Sequence, residues 1–198
     1  MKISGLLITA DAMAAPVAAH AAPMLWASNG HYYEFVDSTV TWNDALNAAQ
    51  SQSFMGMQGY LATVTSLDEL DFITNNVTQT TAYLSGSDAA AEGVWRWMAG
   101  PEAGQIFYGS GAPGGAFSNW NIGEPNNLAG ENGLLTNYAF AGGWNDINDT
   151  WEYGYIVEYS AAVAGAVPEP ATWLMLLTGI FAVGFVMRRQ PKARPAIA

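Results

Sequence analysis

Two segments in the first half of the chain carry the hydrophobic spacing of amphipathic helices. From Thr41 to Gln50 the apolar residues recur three and four positions apart, and Thr41 is placed to cap the N-terminus of a helix. Ser66 to Glu69 has the form of a capping box. The apolar positions that follow it share one helical face: Leu67, Leu70, Ile73 and Val77. The pattern therefore predicts two helices.

Short strands are predicted around these helices and at the end of the folded body. Their composition or alternation is that of β-structure in five segments: His31 to Val36, Tyr60 to Val64, Tyr83 to Gly86, Val94 to Met98 and Tyr153 to Tyr159. Residues 100–143 are rich in glycine and show no helical spacing. This order of elements predicts an α+β fold with a long, irregular loop region that carries the function.

The N-terminus has the organisation of an export signal. Lys2 provides a positive charge, Ile3 to Ala10 are apolar, and Ala19-His20-Ala21 is a small-x-small cleavage site. These features predict a signal peptide over residues 1–21, with an unstructured N-terminus as the alternative.

The C-terminus has the pattern of a single membrane span. Ala171 to Met187 is a run of 17 residues without a charge, and Arg188-Arg189 follows it directly. A helix of this length reaches roughly 25 Å, near the lower limit for crossing a bilayer. The bases after it predict that the tail stays on the cytoplasmic side. Val167-Pro168-Glu169-Pro170 precedes the run and separates it from the body, because proline breaks a continuing helix.

This tail resembles the PEP-CTERM sorting signal of Gram-negative bacteria. The resemblance covers about residues 167–190 and rests on the VPEP sequence, the apolar span and the terminal arginines, in that order. It implies recognition by an exosortase in the membrane and delivery to the cell surface or an exopolysaccharide matrix. We therefore divide the chain into a folded body at 22–160, a linker at 161–167 and a sorting segment at 168–192.

The composition excludes several kinds of chemistry. The chain has no cysteine, so disulfides, Cys-ligated metals and thiol nucleophiles are absent. Its two histidines, His20 and His31, are too few for a His-rich metal site or a His-dependent triad. Between residues 22 and 167 there is one base, Arg96, against 15 acids. Such a body repels phosphate backbones, so we expect no nucleic-acid partner.

The long loop and the residues just after it supply oxygen ligands. We call the following five residues the loop ligands: Glu124, Asn126, Glu131, Asn145 and Asp146. Carboxylates and amides without histidine or cysteine suit a hard cation such as Ca²⁺, which takes about 6–8 oxygens. The alternative is that these residues only bond their own backbone in turns.

The order of motifs in the body resembles that of a C-type lectin domain. The resemblance covers roughly residues 27–159. It is carried by Gly59 to Val64, Gly93 to Trp97, the EPN sequence at 124–126, the WND sequence at 144–146 and Tyr155 to Tyr159.

The resemblance implies a C-type lectin-like fold, in which two helices flank small antiparallel sheets and a long irregular loop binds the ligand. It implies that the loop ligands hold Ca²⁺, and that Glu124, Asn126 and Asn145 also hydrogen-bond a sugar on that ion. It also implies a cis peptide bond before Pro125. The EPN sequence resembles the variant that selects mannose-type over galactose-type sugars.

The sequence departs from the family at its two disulfide bridges. Ala49 and Val157 stand where one bridge would be, and Gly133 and Asp149 stand where the other would be. We expect apolar packing to replace the first. The second pair cannot pack in that way, which predicts a loop that depends on calcium for order.

These observations favour calcium-dependent carbohydrate binding by an exported surface protein, whose partners are a glycan or exopolysaccharide. The alternative is an adhesion or scaffold domain that binds protein and uses calcium only structurally. A glycosidase would need paired carboxyl groups, for which Glu124 and Glu131 are the candidates. We expect no apolar pocket in the loop to raise the pKa of either, so we predict that the protein is not an enzyme.

Overall fold

A computed structural model describes residues 22–161 of the chain. The predicted signal peptide, at 1–21, and the predicted sorting segment, at 168–192, lie outside this range. The strands in the described part are β1 (Met24–Trp26), β2 (His31–Val40), β3 (Ser53–Phe54), β4 (Met57–Leu61), β5 (Ala82–Ser87), β6 (Trp95–Trp97), β7 (Ile106–Tyr108), β8 (Gly133–Thr136), β9 (Asn145–Ile147) and β10 (Tyr153–Tyr159).

The two predicted helices are confirmed, and each begins at a capping side chain. Helix α1 spans Trp42–Gln50, and the Thr41 hydroxyl accepts a hydrogen bond from the Asp44 amide at 3.3 Å. Helix α2 spans Leu67–Phe72 and continues as a π-helical segment, Ile73–Val77. The Ser66 hydroxyl accepts from the amide of Glu69, the fourth residue of that capping box, at 3.2 Å.

The sheet is built around the last strand, β10. This strand pairs antiparallel with β2 and β4 and parallel with β5. Strand β5 continues the sheet through antiparallel pairs with β6 and β8, and β9 pairs with β8. The expectation of purely antiparallel sheets is therefore wrong. Strands β5 and β10 are far apart in the chain, so no hairpin fixes their relative direction.

An aromatic cluster supports the base of the long loop. Trp97 stacks on Phe107 at 4.2 Å between ring centroids, and Trp144 meets Trp97 edge-on at 6.0 Å. The ring centroids of Trp120 and Trp95 are 4.8 Å apart. Because Trp144 is fully buried and Trp120 packs against the same cluster, both act as core anchors.

The positions that replace the family's first disulfide are filled by apolar packing. Ala49 and Val157 are both fully buried in one hydrophobic cluster. A Cβ atom on Gly59 would lie 2.7 Å from the Ala49 carbonyl oxygen and 2.9 Å from a Val157 methyl group. The absence of a side chain at Gly59 therefore allows α1, β4 and β10 to approach each other closely.

Candidate functional site

The two ends of the long loop are held together by backbone pairing. Trp120 and Trp144 form an isolated parallel bridge. The Asn121 amide donates to the Trp144 carbonyl at 2.9 Å, and the Trp144 amide donates to the Asn119 carbonyl at 3.0 Å. We call this pairing the loop neck. It places the segment after Trp120 beside β9, which carries two of the loop ligands.

Asp146 organises the first half of the loop. Its side chain is fully buried, and its two carboxylate oxygens accept from the amides of Asn126, at 3.1 Å, and Asn127, at 2.6 Å. The Glu124–Pro125 peptide bond is cis, as the resemblance implied. The Asn145 side chain contacts the main-chain oxygen of Asp146. The structure thus brings the EPN and WND sequences together.

Backbone amides hold Glu131 close to Asn126. The Leu128 amide donates both to Asn126 Oδ1, at 2.9 Å, and to Glu131 Oε2, at 3.0 Å. The Glu131 amide in turn donates to Asn127 Oδ1 at 2.8 Å. A single tight turn therefore fixes two of the loop ligands relative to each other.

The cluster places the negative charges of Asp146 and Glu131 beside Glu124. Glu124 Oε2 is buried and has no hydrogen-bond partner within the described residues. Burial, followed by the contacts with Asp146 and the charge of Glu131, raises the pKa of Glu124 to about 7. Burial also raises the pKa of Glu131. The expectation that no pocket in the loop raises the pKa of either carboxyl group is therefore wrong, because the folded loop itself desolvates them.

The donor set fits a calcium ion only if amide oxygens take part. Among residues 22–161, no three His, Cys, Asp or Glu side chains are grouped closely enough to hold a metal by themselves. Asn126 and Asn145 supply amide oxygens next to the carboxylates. Ca²⁺ accepts such mixed carboxylate, amide and carbonyl ligands, and the unpartnered oxygen of Glu124 is a free ligand position.

Four of the loop ligands line one concave region of about 350 Å³, which we call the loop concavity. It is bordered by Glu124, Asn126, Glu131 and Asn145 together with the side chains of Tyr138 and Trp151. Neither aromatic residue belongs to a motif that the sequence shows. A larger concavity, of about 610 Å³, is lined by Glu34, Gln52 and Tyr155 among others and contains none of the loop ligands.

A second polar cluster lies inside the body, away from the loop ligands in sequence. His31 Nδ1 and Glu158 Oε1 are 2.5 Å apart, and Glu158 is almost completely buried. The Tyr33 hydroxyl donates to Glu69 Oε1 at 2.5 Å, and the Thr63 amide donates to Glu158 Oε2 at 3.1 Å. His31, the first residue of β2, therefore forms an ion pair with Glu158 when its imidazole is protonated.

Comparisons with known proteins cover this same body. Halomucin from Haloquadratum walsbyi is 37% identical over an alignment of 145 residues that covers 71% of this chain and 2% of Halomucin. The perlucin-like protein of Mytilus galloprovincialis is 32% identical over an alignment of 134 residues that covers 63% of this chain and 73% of that protein. The cow C-type carbohydrate-recognition domain of CD23 is 26% identical, with a TM-score of 0.52, over 67% of this chain and 89% of the domain.

The chain belongs to the C-type lectin family. Members of this family are binding proteins rather than enzymes, and lectin relatives suggest carbohydrate binding. This C-type lectin spans most of the Mytilus protein but a very small part of Halomucin.

The tail of the lectin carries the predicted sorting signal. The family model of the PEP-CTERM protein-sorting motif matches residues 166–190. The motif signals an exported, surface-directed protein and suggests processing by an exosortase. No helix within residues 22–161 has the length and apolar character to cross a bilayer, and the span predicted at 171–187 lies outside that range.

Proposed function

We propose that this lectin binds carbohydrate through a calcium ion held by the loop ligands. The observation that carries the proposal is the buried, unpartnered oxygen of Glu124, which lies among two further carboxylates and two side-chain amides. A cation at this point would offset the negative charges of Asp146 and Glu131, which add to burial in raising the pKa of Glu124. It would also supply the partner that the buried oxygen lacks.

The loop ligands divide into two roles. Glu124, Asn126 and Asn145 would hold the ion and also hydrogen-bond the sugar hydroxyls, as the family resemblance implies, and all three line the open loop concavity. Glu131 and the buried Asp146 would bind the ion only, and Asp146 also fixes the loop backbone. A calcium ion held there would coordinate two neighbouring hydroxyl groups of the sugar.

The proposed specificity is for mannose-type sugars, whose 3- and 4-hydroxyls are equatorial. The EPN sequence at 124–126 supports it, and the cow CD23 domain was solved in the presence of a GlcNAc2Man3 oligosaccharide. We further propose that residues 1–21 are a signal peptide and that a single helix at 171–187 anchors the precursor in the membrane. The processed lectin then binds a glycan or exopolysaccharide at the cell surface or in the extracellular matrix.

A glycan array with the purified protein, run with calcium and with a chelator, tests this function. We expect binding to mannose-type glycans that the chelator abolishes. The double substitution Glu124→Gln with Asn126→Asp should shift the preference toward galactose, whereas Glu152→Gln, an exposed acid outside the loop ligands, should change nothing. Calcium binding without any bound sugar would instead support the alternative of a protein-binding adhesion domain.

A further inference from the structure

Two exposed aromatic side chains face the same concavity as the loop ligands. Trp151 is 55% exposed and Tyr138 is 37% exposed, and both line the loop concavity. Of the tryptophans among residues 22–161, Trp151 alone is exposed. Large apolar groups left open to water beside a polar site are typical of ligand-binding surfaces.

The backbone of Trp151 is held by the body of the lectin. The hydroxyl of Tyr83, a fully buried residue, donates to the Trp151 carbonyl oxygen at 2.7 Å. The Trp151 amide donates to the Asn148 carbonyl at 3.0 Å, and Asn148 Nδ2 donates to the Gly130 carbonyl at 3.2 Å. The turn that presents the indole is therefore tied both to the core and to the loop that carries the ligands.

The backbone of Tyr138 is held in a comparable way. Its amide donates to the Gly143 carbonyl at 3.1 Å, and its carbonyl accepts from Asn121 Nδ2 at 3.0 Å. The Asn121 amide is itself part of the loop neck. Both rings thus project from backbone that is anchored before any ligand arrives, which lowers the entropic cost of binding.

We propose that Trp151 and Tyr138 form an aromatic wall that binds a second sugar residue, next to the one on calcium. The face of a pyranose ring that carries C–H groups is apolar and packs against an aromatic ring. The loop concavity, at about 350 Å³, lies within the range of sites that hold small ligands. This inference rests on the proposed function and deepens it, because it makes an oligosaccharide the preferred ligand.

The charge of the body narrows the class of oligosaccharide further. One base stands against 15 acids between residues 22 and 167, and two carboxylates line the concavity itself. The acidic surface around the calcium site would repel a polysaccharide rich in uronic acids or sulfate. The ligand class is therefore an oligosaccharide without acidic groups.

The test compares calcium-dependent affinities for methyl α-mannoside and for a linear mannotriose, using the full chain. Wild type should bind mannotriose more tightly. Trp151→Ala should weaken mannotriose binding by roughly five- to tenfold and methyl α-mannoside binding by less than about twofold. Trp151→Phe should retain most of the difference in affinity between mannotriose and methyl α-mannoside. Phe140→Ala is the matched control, because Phe140 is 54% exposed and does not line the loop concavity.

The possible results distinguish failure of the aromatic wall from failure of the proposed function on which it rests. If wild type binds both sugars equally, or if Trp151→Ala weakens both to the same extent, the aromatic wall is refuted and calcium-dependent sugar binding stands. If wild type binds neither sugar with calcium, both the proposed function and the inference are overturned. Calorimetric titration with calcium alone should give the same affinity for wild type and Trp151→Ala, which excludes damage to the ion site.

Discussion

Replacing His31 by glutamine should remove a pH-dependent part of the lectin's stability. His31 lies on β2 and pairs with Glu158 on β10 across 2.5 Å. Glu69 on α2 and Glu102 after β6 add further negative charge around the imidazole. The hydrogen bond to Glu158, opposed in part by burial, raises the pKa of His31 above its ordinary value of 6.5.

The sign of the effect follows from this direction. A histidine whose pKa is higher in the folded state binds a proton more tightly there than in the unfolded chain. Its contribution is fully present below about pH 6.5 and is lost as the pH rises through the folded-state value. Burial likewise raises the pKa of Glu69, so that group also makes the wild type less stable as the pH rises above about 4.5. Glu69 is present in both proteins, so the difference between them isolates His31.

The magnitude comes from the hydrogen bond itself. A bond between charged groups contributes about 1.5–3 kcal/mol and a neutral one about 0.5–1.5 kcal/mol. The His31 side chain is 26% exposed, which places its pair with Glu158 at the lower end because water screens it. The charged bond exceeds a neutral one by about 1 kcal/mol at these lower ends, so His31→Gln should cost about 1 kcal/mol more at about pH 5.5 than at about pH 9, or roughly 3 °C in melting temperature.

Urea denaturation followed by tryptophan fluorescence measures this difference across the pH range. Glu158→Gln and the double variant complete a cycle that extracts the coupling between the two side chains. The coupling should be larger at about pH 5.5 than at about pH 9, where only the bond from a neutral imidazole remains. A coupling that does not change with pH would refute the reasoning, because an ion pair that depends on a proton on His31 cannot outlast the loss of that proton.

Four further results are expected. Asp146→Ala should abolish the calcium heat that wild type shows with a Kd of roughly 10⁻⁴–10⁻³ M; retained heat would contradict the ligand assignment. Calcium at a hundredfold excess over Kd should add about 2.7 kcal/mol to the free energy of unfolding and slow hydrogen exchange at residues 120–150. Slower exchange throughout the body would instead mean that the core also needs the ion. Gly59→Ala places a methyl group 2.7 Å from the Ala49 carbonyl oxygen and should cost about 1–3 kcal/mol in urea denaturation; an unchanged midpoint would show that the strands can separate. Deleting 168–198 should release the precursor from membranes, and a membrane-bound deletion product would exclude the tail as anchor.

The local elements could be predicted from sequence because their signals are local. The caps at Thr41 and Ser66 each depend on one hydrogen bond that spans a single helical turn. The alternation of Tyr153–Tyr159 gave the bounds of β10 correctly. Strands β7, β8 and β9 were missed because runs of three or four residues are too short to show alternation. The parallel pairing of β5 with β10 was missed because it depends on the whole topology.

In the candidate site too, some residues could be predicted from the sequence and others could not. The loop ligands could be named in advance because the EPN and WND sequences are short motifs, and the structure places them around one turn. Their assignment to calcium remains a proposal. The aromatic wall could not be predicted, because Tyr138 and Trp151 meet the concavity only after the chain has folded. The pair of His31 and Glu158 spans 127 positions, and no local pattern marks either residue.

The loop neck has a consequence for how this lectin can change over evolution. Residues 121–132 begin at the Trp120–Trp144 bridge and end where β8 joins the sheet. Their two ends are therefore fixed by the body, and doubling the length of such a segment costs only about 0.6 kcal/mol in closure entropy. Insertions and deletions there should leave the strand pairing and the aromatic cluster intact. The same body can thus carry segments of different length and sequence at this position without a change in its core.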